Sequence, residues 1–183
     1  MSLTIPIAEN FMLKMRSIED AEAIFEITDT NRPYLREWLP WVDGTKTVED
    51  TRNFLKKCLD NYDNGSAIDL GIWFEGKWVG SIGLNKIDTL NRNAEIGYWL
   101  TPEYSGRGLM TQAVQALITY AYTETKLNRL VIMAAIENTK SRAIPERLGF
   151  VQEGVCREEG WLYDHFVDLA MYALVKSDWV NKK

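Results

Sequence analysis

Apolar residues change their spacing along the chain, and each change predicts a different element. Between Thr47 and Tyr62 they recur at steps of three and four, the period of a helix with one buried face. From Ala67 to Ile87 they alternate with other residues, and Glu75-Gly76 offers a tight turn in the middle. The first half of the chain therefore predicts a helix followed by a β-hairpin.

Shorter patterns precede that helix. Phe11–Arg16 reads as a strand, and Ser17 with Asp20 three residues later is typical of a helix start. Residues 32–42 predict a short helix and a loop that carry large aromatic side chains, namely Tyr34, Trp38 and Trp41. These aromatic residues could line an acceptor groove, pack in the core or form a dimer contact, and the sequence does not separate the three.

The second half alternates between strand and helix patterns. The predicted elements are the strand Ala94–Leu100, the turn Ser105–Gly108, a helix from Leu109, the strand Arg129–Ala135, the helix Asn138–Leu148, and the strands Val151–Val155 and Phe166–Val175. Alternation here and hairpins elsewhere indicate an α+β protein, or an α/β protein with a mixed sheet. No repeat or linker divides the sequence, so we expect residues 1–183 to form one domain.

Composition excludes several classes of protein. The chain is 46% hydrophobic over 183 residues, which is enough for a core, and its apolar runs are too short to span a membrane. A net charge of −5 disfavours a general nucleic-acid binder, which needs a basic surface. The N-terminus shows no signal-peptide pattern, and two cysteines form no disulfide framework, so we expect a cytoplasmic protein. A single histidine, His165, argues against a metal centre.

Candidate chemistry concentrates at the turn Ser105–Gly108. A helix start leaves backbone N–H groups unpaired, and glycines before it allow a phosphate to approach them. Arg107 adds a positive charge there. The turn lacks the third glycine of a dinucleotide fingerprint and the lysine of a P-loop, so neither of those ligands fits. The turn could also be an ordinary loop.

Four segments in this order resemble a known family. They are Glu95-Ile96-Gly97-Tyr98-Trp99-Leu100, Gly106-Arg107-Gly108-Leu109-Met110-Thr111, Asn138-Thr139-Lys140-Ser141 and Glu146-Arg147-Leu148-Gly149-Phe150. Together they resemble the GCN5-related N-acetyltransferases (GNAT), and more narrowly the RimJ/RimL branch that acetylates ribosomal-protein N-termini. Ser105 and Met110 depart from the general pyrophosphate motif, but that branch tolerates both.

The resemblance implies a fold and a donor. It implies a mostly antiparallel sheet, flanked by helices, in which two central parallel strands, Ala94–Leu100 and Arg129–Ala135, splay apart. Acetyl-CoA would lie in the opening, with its pantetheine arm on the first strand and its pyrophosphate on the glycine turn. The cofactor-binding residues that it implies are Trp99, Leu100, Gly106, Arg107, Gly108, Leu109, Met110, Thr111 and Asn138.

Attack of an amine on a thioester needs a base and a proton for the departing thiolate. Ser141 matches the family's proposed thiol proton donor, although it could instead cap a helix beginning at Arg142, with Pro145 in an early turn. Candidate bases are Glu95, whose pKa burial would raise, and Glu159. Glu158, which with Glu159 precedes a Gly160-Trp161 turn, is an equal alternative to Glu159, and His165 is a further candidate. Deprotonation through water would also suffice.

The resemblance implies acetyl transfer from acetyl-CoA to the N-terminal α-amine of a protein, with a ribosomal protein as the favoured acceptor. The amine would attack the thioester directly in a ternary complex. Two alternatives stay open. The acceptor could be a small amine such as a polyamine, amino sugar or amino acid, because an acidic surface attracts both kinds of substrate. The protein could also bind acyl-CoA without catalysis. No metal, membrane or nucleic-acid partner is expected, and a homodimer remains open.

Overall fold

The computed structural model describes residues 3–181. Met1 and Ser2, which belong to the N-terminal stretch considered above, lie outside the described residues. The strands are β1 (Thr4–Ala8), β2 (Phe11–Met15), β3 (Ile68–Phe74), β4 (Lys77–Asp88), β5 (Asn93–Leu100), β6 (Arg129–Ala135), β7 (Val151–Leu162) and β8 (His165–Val175). The helices are α1 (Ala21–Thr30), α2 (Arg32–Arg36), α3 (Val48–Asp63), α4 (Leu109–Glu124), α5 (Thr139–Leu148) and α6 (Lys176–Val180).

The eight strands form one mixed sheet in the order β1-β2-β3-β4-β5-β6-β8-β7. Every neighbouring pair is antiparallel except β5 and β6, which run parallel near the middle of the sheet. The predicted α+β class, with a mostly antiparallel sheet and one central parallel pair, is therefore confirmed. The parallel pair is joined through α4, as a parallel connection requires.

Helices cover both faces of the sheet. On one face α4 buries a continuous stripe that includes Ala113, Val114, Leu117 and Ala121, all fully buried, against the strands of the main core. On the other face α1 and α3 enclose a smaller cluster with Ala21, Ile24, Leu55 and Trp78. Burial of apolar surface on this scale is the main stabilising contribution to such a fold.

Reciprocal hydrogen bonds cap the start of α3. Asp50 accepts hydrogen bonds from the backbone N–H of Thr47 and from its hydroxyl, while the Thr47 hydroxyl accepts from the N–H of Asp50. Each residue thus satisfies a group that the first helical turn would leave unpaired. At Ser17 the Asp20 carboxylate likewise accepts from the backbone N–H of the serine, ahead of a short 3-10 turn that leads into α1.

Three local predictions were incomplete or wrong. The strand β1 and the short helix α6 were not predicted, because each is short and half exposed and carries little periodic signal. Gly160-Trp161 is not a turn: β7 continues through both residues to Leu162, and Tyr163-Asp164 forms the turn. The edge position of β7 explains the error, since exposed charged residues hide its alternation.

No helix among residues 3–181 is long and apolar enough to cross a membrane. Both cysteines, Cys58 and Cys156, are free thiols. Within the same described part of the chain, no three His, Cys, Asp or Glu side chains come close enough together to hold a metal ion.

Candidate active site

The parallel strands separate after a short contact. Residues Asn93–Glu95 of β5 pair with Arg129–Val131 of β6, and the pairing ends there. On its other side β5 stays paired with β4 as far as Leu100. In the described part of the chain, no strand pairs with the β6-facing edge of residues 96–100. This edge offers backbone donors and acceptors to a ligand, and Trp99 and Leu100 lie on it.

The helix α4 begins beside this opening with an N-terminus that no side chain caps. Gly106 and Gly108 have φ values of +78° and +77°, the left-handed region in which a side chain is strained, and Gly108 is the N-cap residue. A Cβ at Gly106 would meet nothing within 4 Å, so the space above the turn is open. Unpaired N–H groups, the helix dipole and open space make this turn suitable for a phosphate.

The side chains of the turn divide into two groups. Leu109 and Met110 are buried in the core, so only their backbone N–H groups can face a ligand. Arg107 is exposed, and its guanidinium lies 5.2 Å from the ring centre of Tyr104. Thr111 accepts a hydrogen bond of 3.0 Å from Arg147, which brings a second arginine to the helix start. Arg147 lies in the fourth of the motif segments, where the sequence pattern indicates no role for it.

The helix α5 brings the predicted Asn138 and Ser141 together. Asn138 is the N-cap residue, and its side-chain oxygen accepts from the backbone N–H of Ser141 at 3.1 Å. Because α5 begins at Thr139, the interpretation of Ser141 as the cap is wrong, and its hydroxyl is available for another contact. Pro145 lies inside α5 rather than in an early turn.

That proline explains a contact between Ser141 and Tyr98 of β5. Proline has no N–H group, so the carbonyl of Ser141, four residues earlier, receives no helical hydrogen bond from it. The Tyr98 hydroxyl donates to this carbonyl at 3.0 Å and accepts from the Ser141 hydroxyl at 3.3 Å. Burial raises the pKa of Tyr98 to about 12, so the phenol keeps its proton at neutral pH. Tyr98 lies in the first motif segment, but no pattern in the sequence indicates its contact with Ser141.

Two candidate bases, Glu95 and Glu159, line one cavity of about 290 Å³, called here the β5–β6 cavity. Glu95 forms an ion pair with Lys86 at 2.9 Å and keeps 29% of its side chain exposed, so it is paired and not simply buried as expected. The contact with Glu95 raises the pKa of the Lys86 ammonium group. Val131, Met133 and Leu169 form apolar parts of the wall.

Glu159 reaches this cavity through an irregularity in β7. Three residues of β7, 157–159, stand opposite the single residue Asp168 of β8, because Cys156 pairs with Leu169 and Gly160 pairs with Val167. Glu158 has a φ of +52°, and its backbone N–H donates to the Asp168 carboxylate at 2.8 Å. Bulges of this kind redirect side chains near active sites. The side chain of Glu158 is exposed and does not line the cavity.

His165 does not line the β5–β6 cavity. Its side chain is exposed, and Nδ1 lies 2.8 Å from Oδ1 of the adjacent Asp164. The hydrogen bond to His165 lowers the pKa of the Asp164 carboxyl group. The structure therefore does not bring this histidine together with Ser141, Glu95 or Glu159.

A larger cavity of about 370 Å³ lies between the sheet and the α1–α3 layer, and is called here the α1–α3 cavity. Its wall includes Gly97, Tyr98 and Trp99 of β5, and it therefore adjoins the unpaired strand edge. Other lining residues are Arg16, Ile24, Thr28, Leu39, Trp41, Thr45, Thr51, Phe54, Asp69, Ser81 and Asn85. Of the three aromatic candidates, Trp41 lines this cavity, whereas Tyr34 contacts Ser105 near the glycine turn and Trp38 lines neither cavity.

An opened parallel pair beside an uncapped helix start is the arrangement that the resemblance to N-acetyltransferases implies for an acetyl-CoA site. The chain belongs to the acetyltransferase (GNAT) domain family, whose family model matches residues 11–151. The resemblance found in the four sequence segments is thereby confirmed.

Two curated relatives cover nearly the whole chain. The Bacillus subtilis (strain 168) protein YdaF, named provisionally as a ribosomal N-acetyltransferase, is 35% identical over 98% of this chain and 99% of its own. The ribosomal-protein-serine acetyltransferase of Escherichia coli (strain K12) is 31% identical over 96% of this chain and 98% of its own. The predicted similarity to the RimJ/RimL branch is therefore confirmed.

A solved structure of a relative extends the likeness to the fold. RimL, a ribosomal L7/L12 α-N-protein acetyltransferase in complex with coenzyme A, matches with a TM-score of 0.91 and 27% identity, over 94% of this chain and 98% of that one. The spermidine N(1)-acetyltransferase of Vibrio cholerae is also similar, with 27% identity over 94% of this chain and 98% of its own.

Proposed function

We propose that this protein transfers the acetyl group of acetyl-CoA to the N-terminal α-amine of a protein, with a ribosomal protein as the acceptor. The observation that carries this proposal is the likeness to the Escherichia coli ribosomal-protein-serine acetyltransferase, which extends over 96% of this chain and 98% of that enzyme. This similarity therefore extends over every element that borders the two cavities. The identity with the spermidine acetyltransferase is lower.

The described residues fit acetyl-CoA as donor. The edge of β5 at Trp99 and Leu100 would hydrogen-bond the pantetheine arm, since it has no strand partner. The N–H groups from Gly106 to Thr111 would hold the pyrophosphate. Arg107 supplies a positive charge at this turn, and Arg147 a second one beside Thr111. Asn138 would contact the arm where α5 begins.

Acetyl-CoA supplies an activated thioester, and the chain supplies proton transfers on both sides of it. The Ser141 hydroxyl would donate a proton to the departing thiolate, and Tyr98 would hold this hydroxyl in place. On the amine side, Glu95 or Glu159 of the β5–β6 cavity would accept the proton, directly or through water. An α-amine has a pKa of about 8, so part of it is neutral at pH 7 without any base.

Mass spectrometry of acetyl transfer tests this function. The purified protein is given acetyl-CoA with a library of peptides that have free N-termini and, in parallel, with a panel of polyamines, amino sugars and amino acids. We expect acetylation at peptide α-amines. Transfer confined to small amines would replace the acceptor and keep the donor chemistry, and tight acetyl-CoA binding without any transfer would contradict the enzymatic proposal.

A cytoplasmic location belongs to the same proposal, because a ribosomal protein is the proposed acceptor and both cysteines are free thiols. A homodimer is a separate proposal. The edge strand β7 and the start of β8 expose Val151, Val155, Trp161 and Phe166, each about half exposed. Apolar residues exposed along a sheet edge suit contact with a second chain. Sedimentation equilibrium would establish the oligomeric state.

A further inference from the structure

We propose that the α1–α3 cavity holds the first side chain of the acceptor, and that it selects large uncharged side chains such as those of Met, Leu and Phe. The inference rests on the proposed transfer to peptide α-amines. It goes beyond that proposal because it states which N-terminal residues the protein acetylates best.

The position of the cavity makes it the neighbour of the reacting amine. Gly97, Tyr98 and Trp99 form part of its wall, and they lie on the strand edge that we assign to the donor. Tyr98 also contacts Ser141, the proposed proton donor. The first side chain of a peptide is attached to the same carbon as its α-amine. When the amine is close to this strand, the side chain must therefore enter a space next to it.

The size and walls of the cavity suit a bulky apolar group. Its volume of about 370 Å³ lies within the range of pockets for small ligands, about 300–1,000 Å³. A water molecule takes about 30 Å³ in the liquid, so a hydroxymethyl side chain would leave most of the cavity unfilled. Trp41 and Trp99, with ring centres 5.9 Å apart, form one aromatic wall, and Phe54 forms another part of the lining.

The charges in the cavity exclude a second ionised group. Among residues 3–181, Arg16 and Asp69 are the only charged residues that line it, and they pair with each other. Arg16 is buried and also donates to the Ser81 hydroxyl at 2.8 Å. A lysine side chain or the second ammonium of a polyamine would compete with Arg16 for one carboxylate and leave a positive charge in excess. A carboxylate would leave a negative one. Both are unfavourable away from water.

The first test varies only the first residue of one peptide. Peptides beginning with Ser, Met, Phe, Lys or Asp, and otherwise identical, are compared by kcat/KM. We expect the Met and Phe peptides to react faster than the Ser peptide, because they fill more of the cavity. A Ser peptide that reacts as fast as these two, or faster, would overturn the inference. The Lys and Asp peptides should react at least about tenfold more slowly, since a pocket distinguishes poorly matched groups by roughly 10- to 200-fold. Equal rates for all five peptides, or a preference for Lys, would overturn the inference.

The second test fills the cavity. Thr45 is half buried at the wall, and its hydroxyl makes only a long contact of 3.5 Å with the Trp41 carbonyl. Thr45→Phe should lower kcat/KM for the Met and Phe peptides at least about tenfold more than for the Ser peptide. Thr123→Phe is the matched control, because Thr123 is exposed on α4 and lines neither cavity. Equal losses for large and small first residues would overturn the assignment.

The third test changes the charge. Arg16→Met leaves Asp69 without its cation, so the Lys peptide should gain relative to the Met peptide at pH 8. The double variant Arg16→Met/Asp69→Leu restores neutrality and should remove that gain. No gain in a folded Arg16→Met protein would contradict the charge argument, and the Thr45→Phe series remains decisive if the arginine variant does not fold.

These outcomes distinguish the inference from the function on which it rests. If no peptide of any first residue is acetylated, the proposed function fails. If peptides are acetylated, but kcat/KM depends neither on the first residue nor, in Thr45→Phe, on the size of that residue, the function stands and the inference about the cavity fails.

Discussion

Two residues from different parts of the chain hold Ser141 in place, and a proline in α5 makes one of these contacts possible. The Asn138 side chain accepts a hydrogen bond from the backbone N–H of Ser141. Tyr98 makes hydrogen bonds with both the carbonyl and the hydroxyl of Ser141. Pro145 has no N–H group and so leaves the Ser141 carbonyl free for Tyr98. A proton donor for a thiolate must be fixed near the sulfur, since misplacement weakens the transfer. The hydroxyl has no partner among the described residues other than Tyr98, so this single contact sets its direction.

Ser141→Ala removes the proposed proton donor without disturbing the cap from Asn138, which uses only backbone of residue 141. We expect kcat to fall by roughly 10- to 100-fold, at or below the lower end of the usual contribution of a general acid, because a thiolate is a good leaving group. The Kd for acetyl-CoA, measured by calorimetry, should change little. An unchanged kcat would remove Ser141 as proton donor.

Tyr98→Phe and Pro145→Ala should compensate each other in stability. Without the Tyr98 hydroxyl, the Ser141 carbonyl loses its donor, at a cost of about 1 kcal/mol. Alanine at position 145 restores a backbone N–H four residues after Ser141, which can supply the missing hydrogen bond. In urea unfolding, the double variant should therefore be more stable than Tyr98→Phe alone.

Activity should not recover in that double variant, because the Ser141 hydroxyl still lacks its phenol partner. The comparison thus separates the effect of Tyr98 on helix α5 from its effect on the hydroxyl. Strictly additive changes in unfolding free energy would contradict the link between Pro145 and Tyr98.

At the scale of elements, the start of α4 combines two glycines in the left-handed region with the absence of a capping side chain. A Ser or Asp at the cap would satisfy these N–H groups and stabilise the isolated helix by about 1 kcal/mol. Gly108 leaves them free. The chain thus forgoes local stability at the position where a phosphate can bind.

Gly108→Trp should raise the Kd for acetyl-CoA at least about tenfold, because a large side chain there covers the free N–H groups. Gly65→Trp provides the matched control. Gly65 has a similar φ of +74° and open space around it, but follows α3 and lines neither cavity. Both variants carry the same backbone strain, and calorimetric titration should show a weaker cofactor only for Gly108→Trp. Equal affinities would contradict the assigned phosphate position.

At the scale of the molecule, the sheet has two halves. Strands β1 to β5 form one half and β6 to β8 the other, and three residue pairs between β5 and β6 join them by backbone. The packing of α4 over the core adds side-chain contacts to this junction. A ligand in the opening would contact both halves, so binding and folding should be strongly linked.

Acetyl-CoA should therefore raise the melting temperature. At a concentration 100 times its Kd, a ligand that binds only the folded protein adds about 2.7 kcal/mol. For a chain of this size, that corresponds to roughly 5–10 °C. Differential scanning fluorimetry with and without acetyl-CoA would measure it, and Gly108→Trp should abolish most of the shift. The same shift in that variant would show that the ligand binds elsewhere.

Much of the fold follows from local sequence patterns. The strand Arg129–Ala135 and the end of α5 at Leu148 were predicted with the bounds that the structure gives, because a strongly apolar run and the glycine that follows the helix are both local signals. The bulge at Glu158 and the edge strand β1 were not predicted. Both depend on what neighbouring strands do, which a local pattern does not contain.

The residues proposed for the donor side lie in recognisable motifs, whereas the contacts on the acceptor side do not. The glycine turn presents backbone N–H groups, and the Asn138 side chain accepts from a backbone N–H group at the start of α5. The pairing of Arg16 with Asp69, and of Tyr98 with Ser141, joins residues 53 and 43 positions apart. Such contacts exist only after the sheet has assembled, so no spacing in the sequence indicates them.

The unpaired edge of β5 should make amide hydrogen exchange in this strand sensitive to whether the donor is bound. Amide hydrogens in a strand exchange with solvent slowly when a neighbouring strand holds them, and quickly when nothing does. In residues 96–100, the amides that face β6 have no strand partner within the described part of the chain. Deuterium uptake in this one segment should thus be rapid in the free enzyme and slow once the donor is loaded. The extent of deuterium uptake at these few amides would therefore measure the fraction of the enzyme that has its donor bound.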